Sequence, residues 1–323
     1  MKIKWLYILL LALLASCQGD IELEKVTLIE RSPMPEPLVS GCSFAYQHSV
    51  YVFGGRDENS RYSTALWRYD IRDDQWRVDS WIPCKARVSA SACVMGMHAY
   101  MGLGYSGPIH RDSTYLRDFW RYNLHTKEWT RLADFPANTT VQNQLFATDS
   151  AIYAMYGFYR QFTQDVYRYD IAKNEWEKVE FSADGAVPRA MDVAGASCQG
   201  RHFVGTGFNR GSQRFWAEWV PEKKMLVARK AIKGSGRNAA ACCATDEYVY
   251  LAGGRHYGDT LTNGFFYSSI QRYSPQADEW EYVGNMPQEM ENMYMECVKG
   301  EIYLGIGEDK DGKIQNKWYR LLE

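Results

Sequence analysis

Six short glycine-bearing segments recur along the 323-residue chain: Val52-Phe53-Gly54-Gly55, Met101-Gly102-Leu103-Gly104, Met155-Tyr156-Gly157, Val204-Gly205-Thr206-Gly207, Leu251-Ala252-Gly253-Gly254 and Leu304-Gly305-Ile306-Gly307. Measured from the last glycine of each, the intervals are 49, 53, 50, 47 and 53 residues. A period near fifty restricts the fold to repeated units that bury their faces against one another. A second signal fixes the register: Tyr69 and Trp76, Tyr122 and Trp129, Tyr169 and Trp176, and Tyr273 and Trp280 are each seven apart, and an Arg precedes every one of these Tyr. From glycine pair to Tyr the distance varies, 14 residues in the first copy and 19 in the fifth. The unit therefore combines an invariant aromatic hairpin with a variable loop. With 15% aromatic and 24% charged residues the chain is too apolar for disorder, and a formal net charge of -2 leaves no electrostatic footprint for nucleic acid.

These glycine pairs and Tyr–Trp hairpins resemble the kelch repeats of β-propellers, and the resemblance covers nearly the whole chain. It implies an all-β, six-bladed propeller of four-stranded antiparallel blades, the inner strand first. In the second copy strands are expected at 88–95, 98–104, 119–124 and 128–132. The fourth copy departs from the pattern, with Trp219 in place of the Tyr and Leu226 in place of the Trp. The last copy stops at Lys317-Trp318-Tyr319-Arg320-Leu321, one strand short. An N-terminal strand at about 21–30 is expected to complete it, because Leu23-Glu24-Lys25-Val26 parallels Trp176-Glu177-Lys178-Val179, and residues 21–323 then form one closed ring.

Upstream, Lys2 and Lys4 precede an apolar run from Leu6 to Ala15, long enough for the core of a signal peptide and about half a membrane span. The run ends in Leu14-Ala15-Ser16-Cys17, which resembles a bacterial lipobox. Residues 1–16 are expected to be a lipoprotein signal peptide, Cys17 the lipidated residue and 17–20 a tether, which places the protein at the bacterial cell envelope, on the outer membrane, with the membrane as a partner through its anchor. Seven further cysteines remain. Cys42, Cys93, Cys198, Cys242 and Cys297 fall eight to twelve residues before a glycine pair and read as small buried residues of one repeated strand, with a bridge involving Cys84 or Cys242/Cys243 left open.

In a four-stranded blade the loops joining the second and third strands (b–c) and the connectors between blades (d–a) emerge on one face. That mouth gathers Arg56, Tyr105, Arg160, Arg210, Arg255 and Tyr257 from the loops, and Arg87, Arg189 and Arg237 from the connectors. Guanidinium forks beside aromatic faces suit an anionic sugar or an acidic protein segment. The function expected is ligand binding or protein interaction through this mouth. The resemblance also admits a carbohydrate enzyme. Sialic acid mutarotases are six-bladed kelch propellers, and His256 and Glu308 are the candidate acid and base for such proton transfers. Galactose oxidase, another kelch protein, needs two His, a Tyr and a Cys-linked Tyr on copper. Here His48, His98 and His202 fall on the opposite face and His125 in a c–d turn, which leaves His110 and His256, so neither metal nor other cofactor is expected. Asp309 to Gly312 lacks the remaining ligands of a calcium loop, and no phosphate-binding loop or serine elbow occurs.

Overall fold

Each repeat folds into one antiparallel sheet in a computed structural model that describes residues 25–108, 111–137, 143–258 and 264–323. The signal segment, Cys17, the tether, Leu23 and His110 lie outside the described residues. Blade 1 comprises Cys42–Tyr46, Ser49–Phe53, Ala65–Asp70 and Gln75–Trp81 (strands a to d). Blade 2 comprises Ser91–Met95, His98–Gly102, Phe119–Asn123 and Trp129–Arg131; blade 3, Gln144–Ala147, Ala151–Tyr159, Gln161–Asp170 and Glu175–Val179. Blade 4 comprises Ala194–Cys198, Arg201–Gly205, Trp216–Val220 and Met225–Arg229; blade 5, Ala241–Ala244, Val249–Ala252, Ser269–Ser274 and Glu279–Asn285. Blade 6 is built from Tyr294–Val298, Glu301–Gly305 and Trp318–Leu322, with Thr27–Arg31 as its outer strand.

The closing strand is the N-terminal one expected, but its register differs. Leu321 pairs with Ile302 and Leu28, as Tyr169 pairs with Ile152 and Trp176, so Leu28 and not Leu23 holds the position of the outer-strand Trp. Val26 and Leu28 pack against Tyr319 and Leu321, which fixes this register. Blade 4 carries an element the repeat did not announce: Ser182–Asp184 runs parallel to Met225–Arg229 as a fifth strand.

The core is divided among the interfaces. Separate apolar clusters fill the contacts of blades 1 with 2, 2 with 3, 3 with 4, 4 with 5, 5 with 6 and 6 with 1. The Tyr–Trp hairpins supply much of this packing. Tyr and Trp stand directly opposite on strands c and d, with ring centroids 4.5 to 5.2 Å apart. In blades 1, 3 and 5 the left-handed turn residue Asp74, Asn174 or Asp278 accepts the Tyr hydroxyl at 2.6 to 2.7 Å. The same side chain accepts the backbone N–H of Ser32, Ala133 or Lys230 in the neighbouring blade, and the Trp indole donates to the carbonyl of that residue. One residue of the preceding blade is thus gripped from both sides. In blade 4 Trp219 faces Leu226, as the degenerate repeat suggested.

The seven described cysteines are free thiols, and no disulfide joins them. Cys42, Cys93, Cys198, Cys242 and Cys297 all sit on the inner strands. Small residues there leave an axial channel of about 440 Å³.

Candidate functional site

The mouth is organised by a backbone motif. In every blade the residue before the last glycine is left-handed: Gly54, Leu103, Tyr156, Thr206, Gly253 and Ile306, with φ of 49 to 70°. The chain then turns so that the next residue is bridged to the connector: Arg56 to Val39, Tyr105 to Val88, Phe208 to Met191, Arg255 to Asn238 and Glu308 to Glu291. The following connector residues, Ser40, Ser89, Asp192, Ala239 and Asn292, are also left-handed. Their backbones join in an arc of hydrogen bonds in which Ser89 N–H donates to Ser40 O, Ser40 N–H to Asn292 O, Asn292 N–H to Ala239 O and Ala239 N–H to Asp192 O, at 2.7 to 3.4 Å. Blade 3 departs from the others: its strands b and c run on to Tyr159 and Gln161 and turn at Arg160 alone (φ 58°), raising a long hairpin above the mouth.

Two unlike halves result. Blades 2 to 5 contribute an aromatic crescent. Tyr115 meets Tyr159 at 5.2 Å, Phe158 meets Phe162 at 5.3 Å, Phe162 meets Phe208 at 6.0 Å and Phe208 meets Tyr257 at 5.0 Å. Blades 4, 5, 6 and 1 contribute ionisable groups. Arg56 is ion-paired with Glu308, and Arg255 approaches Glu291 at 3.8 Å while lying over the rings of Tyr257 and Phe266 at 4.2 and 5.1 Å. Burial raises Glu291 to about 7; Arg255 and Arg56 oppose the rise, and Glu308 and Asp192 reinforce it. Burial alone raises Asp192 to about 7. Both carboxyls therefore exchange protons near neutrality. Burial also raises Tyr105 and Tyr257, and the Asp192 charge acts on both in the same direction. Tyr257 is the joint between the halves.

The arginines identified from the sequence meet different fates. Arg189 and Arg210 are exposed, and their guanidinium groups have no carboxylate partner among the described residues. Arg160 is exposed but engages Asp112 at 2.6 Å and lies over Tyr159. Arg87 and Arg237 do not reach the mouth. Arg87 is fully buried, forks onto Asp118 at 3.0 and 2.7 Å and donates to Leu103 O. Arg237, 1% exposed, donates to Gly253 O and Ser269 Oγ and lies over Tyr267 at 3.9 Å. Burial lowers its pKa to about 10, so it stays charged at neutral pH. Both are structural ties between connector and blade. The acid–base pair is also spoken for: Glu308 is tied to Arg56, and the His256 ring contacts Gly236 O through Nδ1 at 2.8 Å with Phe265 packed on it. The residues expected at the mouth from the sequence include neither Asp192 nor Glu291. Asp192 shares its place in the repeat with Ser40, Ser89, Ala239 and Asn292, a connector position expected at the mouth, but the repeat does not announce the burial of its carboxyl. No cluster of metal-ligating side chains occurs among the described residues.

Comparison with known proteins agrees with this architecture. A family model described as the KLHDC2/KLHL20/DRC7 Kelch-repeats domain matches residues 19–207, more than half of the chain, and a Kelch motif matches 236–287. Kelch-like protein terF of Aspergillus terreus is 23% identical over 290 residues, 87% of this chain and 52% of that protein. Kelch-like protein 23 of Homo sapiens is 24% identical over 77% of this chain and 42% of its own length. The chain thus spans about half or less of these relatives. A solved structure, described as the structure of YjhT, superposes with a TM-score of 0.72 at 14% identity, covering 90% of this chain and 96% of that one.

Proposed function

Because the chain belongs to the kelch-repeat family, we propose that it is a binding module that takes its ligand at the mouth formed by the b–c loops. Tyr257 carries this reading. Its ring meets Phe208 on one side, lies under Arg255, and is coupled to Glu291 and Asp192 on the other. A ligand set there would stack a flat face on the crescent and direct its polar groups to the ionisable half. Arg189 and Arg210, exposed beside Phe208, supply charge for an acidic sugar or an acidic peptide segment. Thermal unfolding of the protein against sialic acids, uronic acids, neutral sugars and acidic peptides tests this, since a ligand at about 100 times its Kd adds roughly 2.7 kcal/mol of stability. The stabilisation should disappear in Tyr257→Ala and weaken in Arg210→Ala. No shift from the whole panel, or one indifferent to both variants, would defeat the proposal.

A second reading, a carbohydrate enzyme such as an N-acetylneuraminate mutarotase, is favoured by one observation: two carboxyls at the mouth with pKa near 7, which suits them to give and take protons at neutral pH. Glu291 and Asp192, rather than His256 and Glu308, would then be acid and base. Anomer exchange followed by NMR should slow by about 100-fold in Asp192→Asn or Glu291→Gln while ligand binding persists. Exchange at the uncatalysed rate in the unaltered protein rejects the enzyme and leaves the binder. We also propose attachment to the bacterial envelope through Cys17, on the strength of the basic and apolar segments before it.

A further inference from the structure

Beside the mouth, blade 2 has a groove on its outer shoulder, bounded by the connector entering the blade, the b–c loop and strands c and d. Its base is rigid. Asp118 accepts both arms of the buried Arg87 and, at 2.6 Å, the indole N–H of Trp120, so the carboxylate is saturated and the Trp120 ring is fixed in the wall. Tyr115, the blade 2 end of the aromatic crescent, also lines the groove, so mouth and groove adjoin at this ring. Around this base stand Lys85 and Arg117, both exposed, with no hydrogen bond or ion pair to their side-chain charges among the described residues. Arg131, across strands c and d from Trp120, is ion-paired among the described residues with the exposed Asp134 alone, at 2.9 Å. Counting Arg87, four cations face two carboxylates, in a chain whose overall charge is negative.

We propose that this groove is a second ligand site, specific for an acidic saccharide such as a uronic acid oligomer, adjoining the mouth at Tyr115 but built on its own cations. Trp120 and Tyr115 offer flat faces to pyranose rings, and Lys85 and Arg117 lie at the rim where ring carboxylates would sit. An extended acidic peptide is the poorer fit. The outer strand beside the groove is only Trp129–Arg131, three residues, and gives an added strand almost no ladder to pair with.

Calorimetric titration of the protein with trigalacturonate tests this, with the fully methyl-esterified trimer as a probe that keeps the rings and removes the charge. Trigalacturonate should bind and the ester should not. Lys85→Glu and Arg117→Glu should each weaken binding about tenfold or more, as expected for the loss of a charge-assisted contact. Neither residue supports a neighbour, so the unliganded variants should unfold at the temperature of the parent. Tyr257→Ala, which disables the mouth, should leave in place the trigalacturonate binding that depends on Lys85 and Arg117, so the two sites fail separately. Absence of binding, binding of the ester equal to that of the acid, or binding insensitive to both charge reversals would overturn the site. Tighter binding of hexaglutamate with the same sensitivity would overturn the saccharide assignment and make the groove a peptide site.

Discussion

Thr206 holds left-handed backbone at φ 58° in the position where blades 1 and 5 have Gly54 and Gly253. A β-branched residue there costs about 1–2 kcal/mol. Leu103, Tyr156 and Ile306 meet the same cost but fill the clusters between blades. Thr206 is fully buried, belongs to none of those clusters, and its hydroxyl finds no partner among the described residues. Thr206→Gly removes the strain and an unsatisfied polar group, at the expense of a buried methyl and of chain entropy. The balance favours the variant by about 1 kcal/mol, read as a higher midpoint in urea unfolding. The next glycine is different in kind: a Cβ at Gly104 would lie 2.3 Å from Val88 O, and at Gly207 2.5 Å from Met191 O. Gly104→Ala should therefore cost about 3 kcal/mol or more. That contrast explains what was legible. The second glycine recurs because a Cβ there would meet a connector carbonyl at 3.0 Å or less in five blades and the Asn143 side chain at 2.8 Å in blade 3, so it announces the repeat. The first position admits any residue whose burial offsets the strain. Arginine fates were illegible because they turn on a one-residue offset: Arg87 and Arg237 immediately precede the bridged residues Val88 and Asn238 and reach inward to the equivalent residues Asp118 and Ser269, whereas Arg189 stands one residue earlier, before Ala190, and stays exposed.

At the scale of the strand, the inner element of blade 6 breaks the rule set by its equivalents. Phe44, Cys93, Phe146, Ala196, Cys243 and Glu296 stand at the same ladder position, opposite residues 51, 100, 153, 203, 250 and 303. Only the last is ionisable as an acid in the carboxylate range. Burial raises Glu296 to about 7 against a hydrogen bond from Ser43 Oγ at 2.6 Å, and the charged or titratable groups coupled to it are the thiols of Cys42, Cys242, Cys243 and Cys297. An acid whose pKa is higher folded than unfolded stabilises the fold below its unfolded value, and that contribution is lost as pH rises toward 7. Glu296→Gln preserves the acceptor for Ser43 and removes the titration. It should stabilise the protein at pH 8 by on the order of 3 kcal/mol, have little effect at pH 4.5, and flatten the profile between. A variant less stable than its parent at pH 8 would contradict this. The inner strands were legible as small and apolar from their Ala, Ser and Cys. Their one acid was not, because its burial comes from neighbouring blades. The outer strand of blade 6 was legible in existence and not in register, since Leu23-Glu24-Lys25-Val26 is the segment that parallels Trp176-Glu177-Lys178-Val179, whereas packing of Val26 and Leu28 on Tyr319 and Leu321 puts Leu28 in the Trp position.

For the whole molecule the closing strand also sets direction. Thr27 pairs with Leu322, at the c–d end of the blade, and Arg31 with Trp318, at the b–c end. The chain therefore enters the ring on the face opposite the mouth. Cys17 stands eight positions before Lys25, a reach of at most about 28 Å when fully extended. A protein lipidated at Cys17, as proposed above, would be held by its lower face with the mouth turned away from the bilayer, as a receptor for ligands arriving from the aqueous side requires. Lys299, exposed in the a–b turn of blade 6, and Arg210, exposed at the mouth, are the reporters. With fluorophores placed at Lys299→Cys or Arg210→Cys in liposomes bearing nitroxide headgroups, the Lys299 label should be quenched and the Arg210 label should not, because the ring itself keeps the mouth beyond contact range. Adding Cys17→Ser should abolish both fatty-acid labelling and quenching. Equal quenching at the two positions would mean that the ring lies on its side, and stronger quenching at Arg210 would mean that the mouth faces the lipid. Either result would discard an aqueous ligand as the object of the mouth.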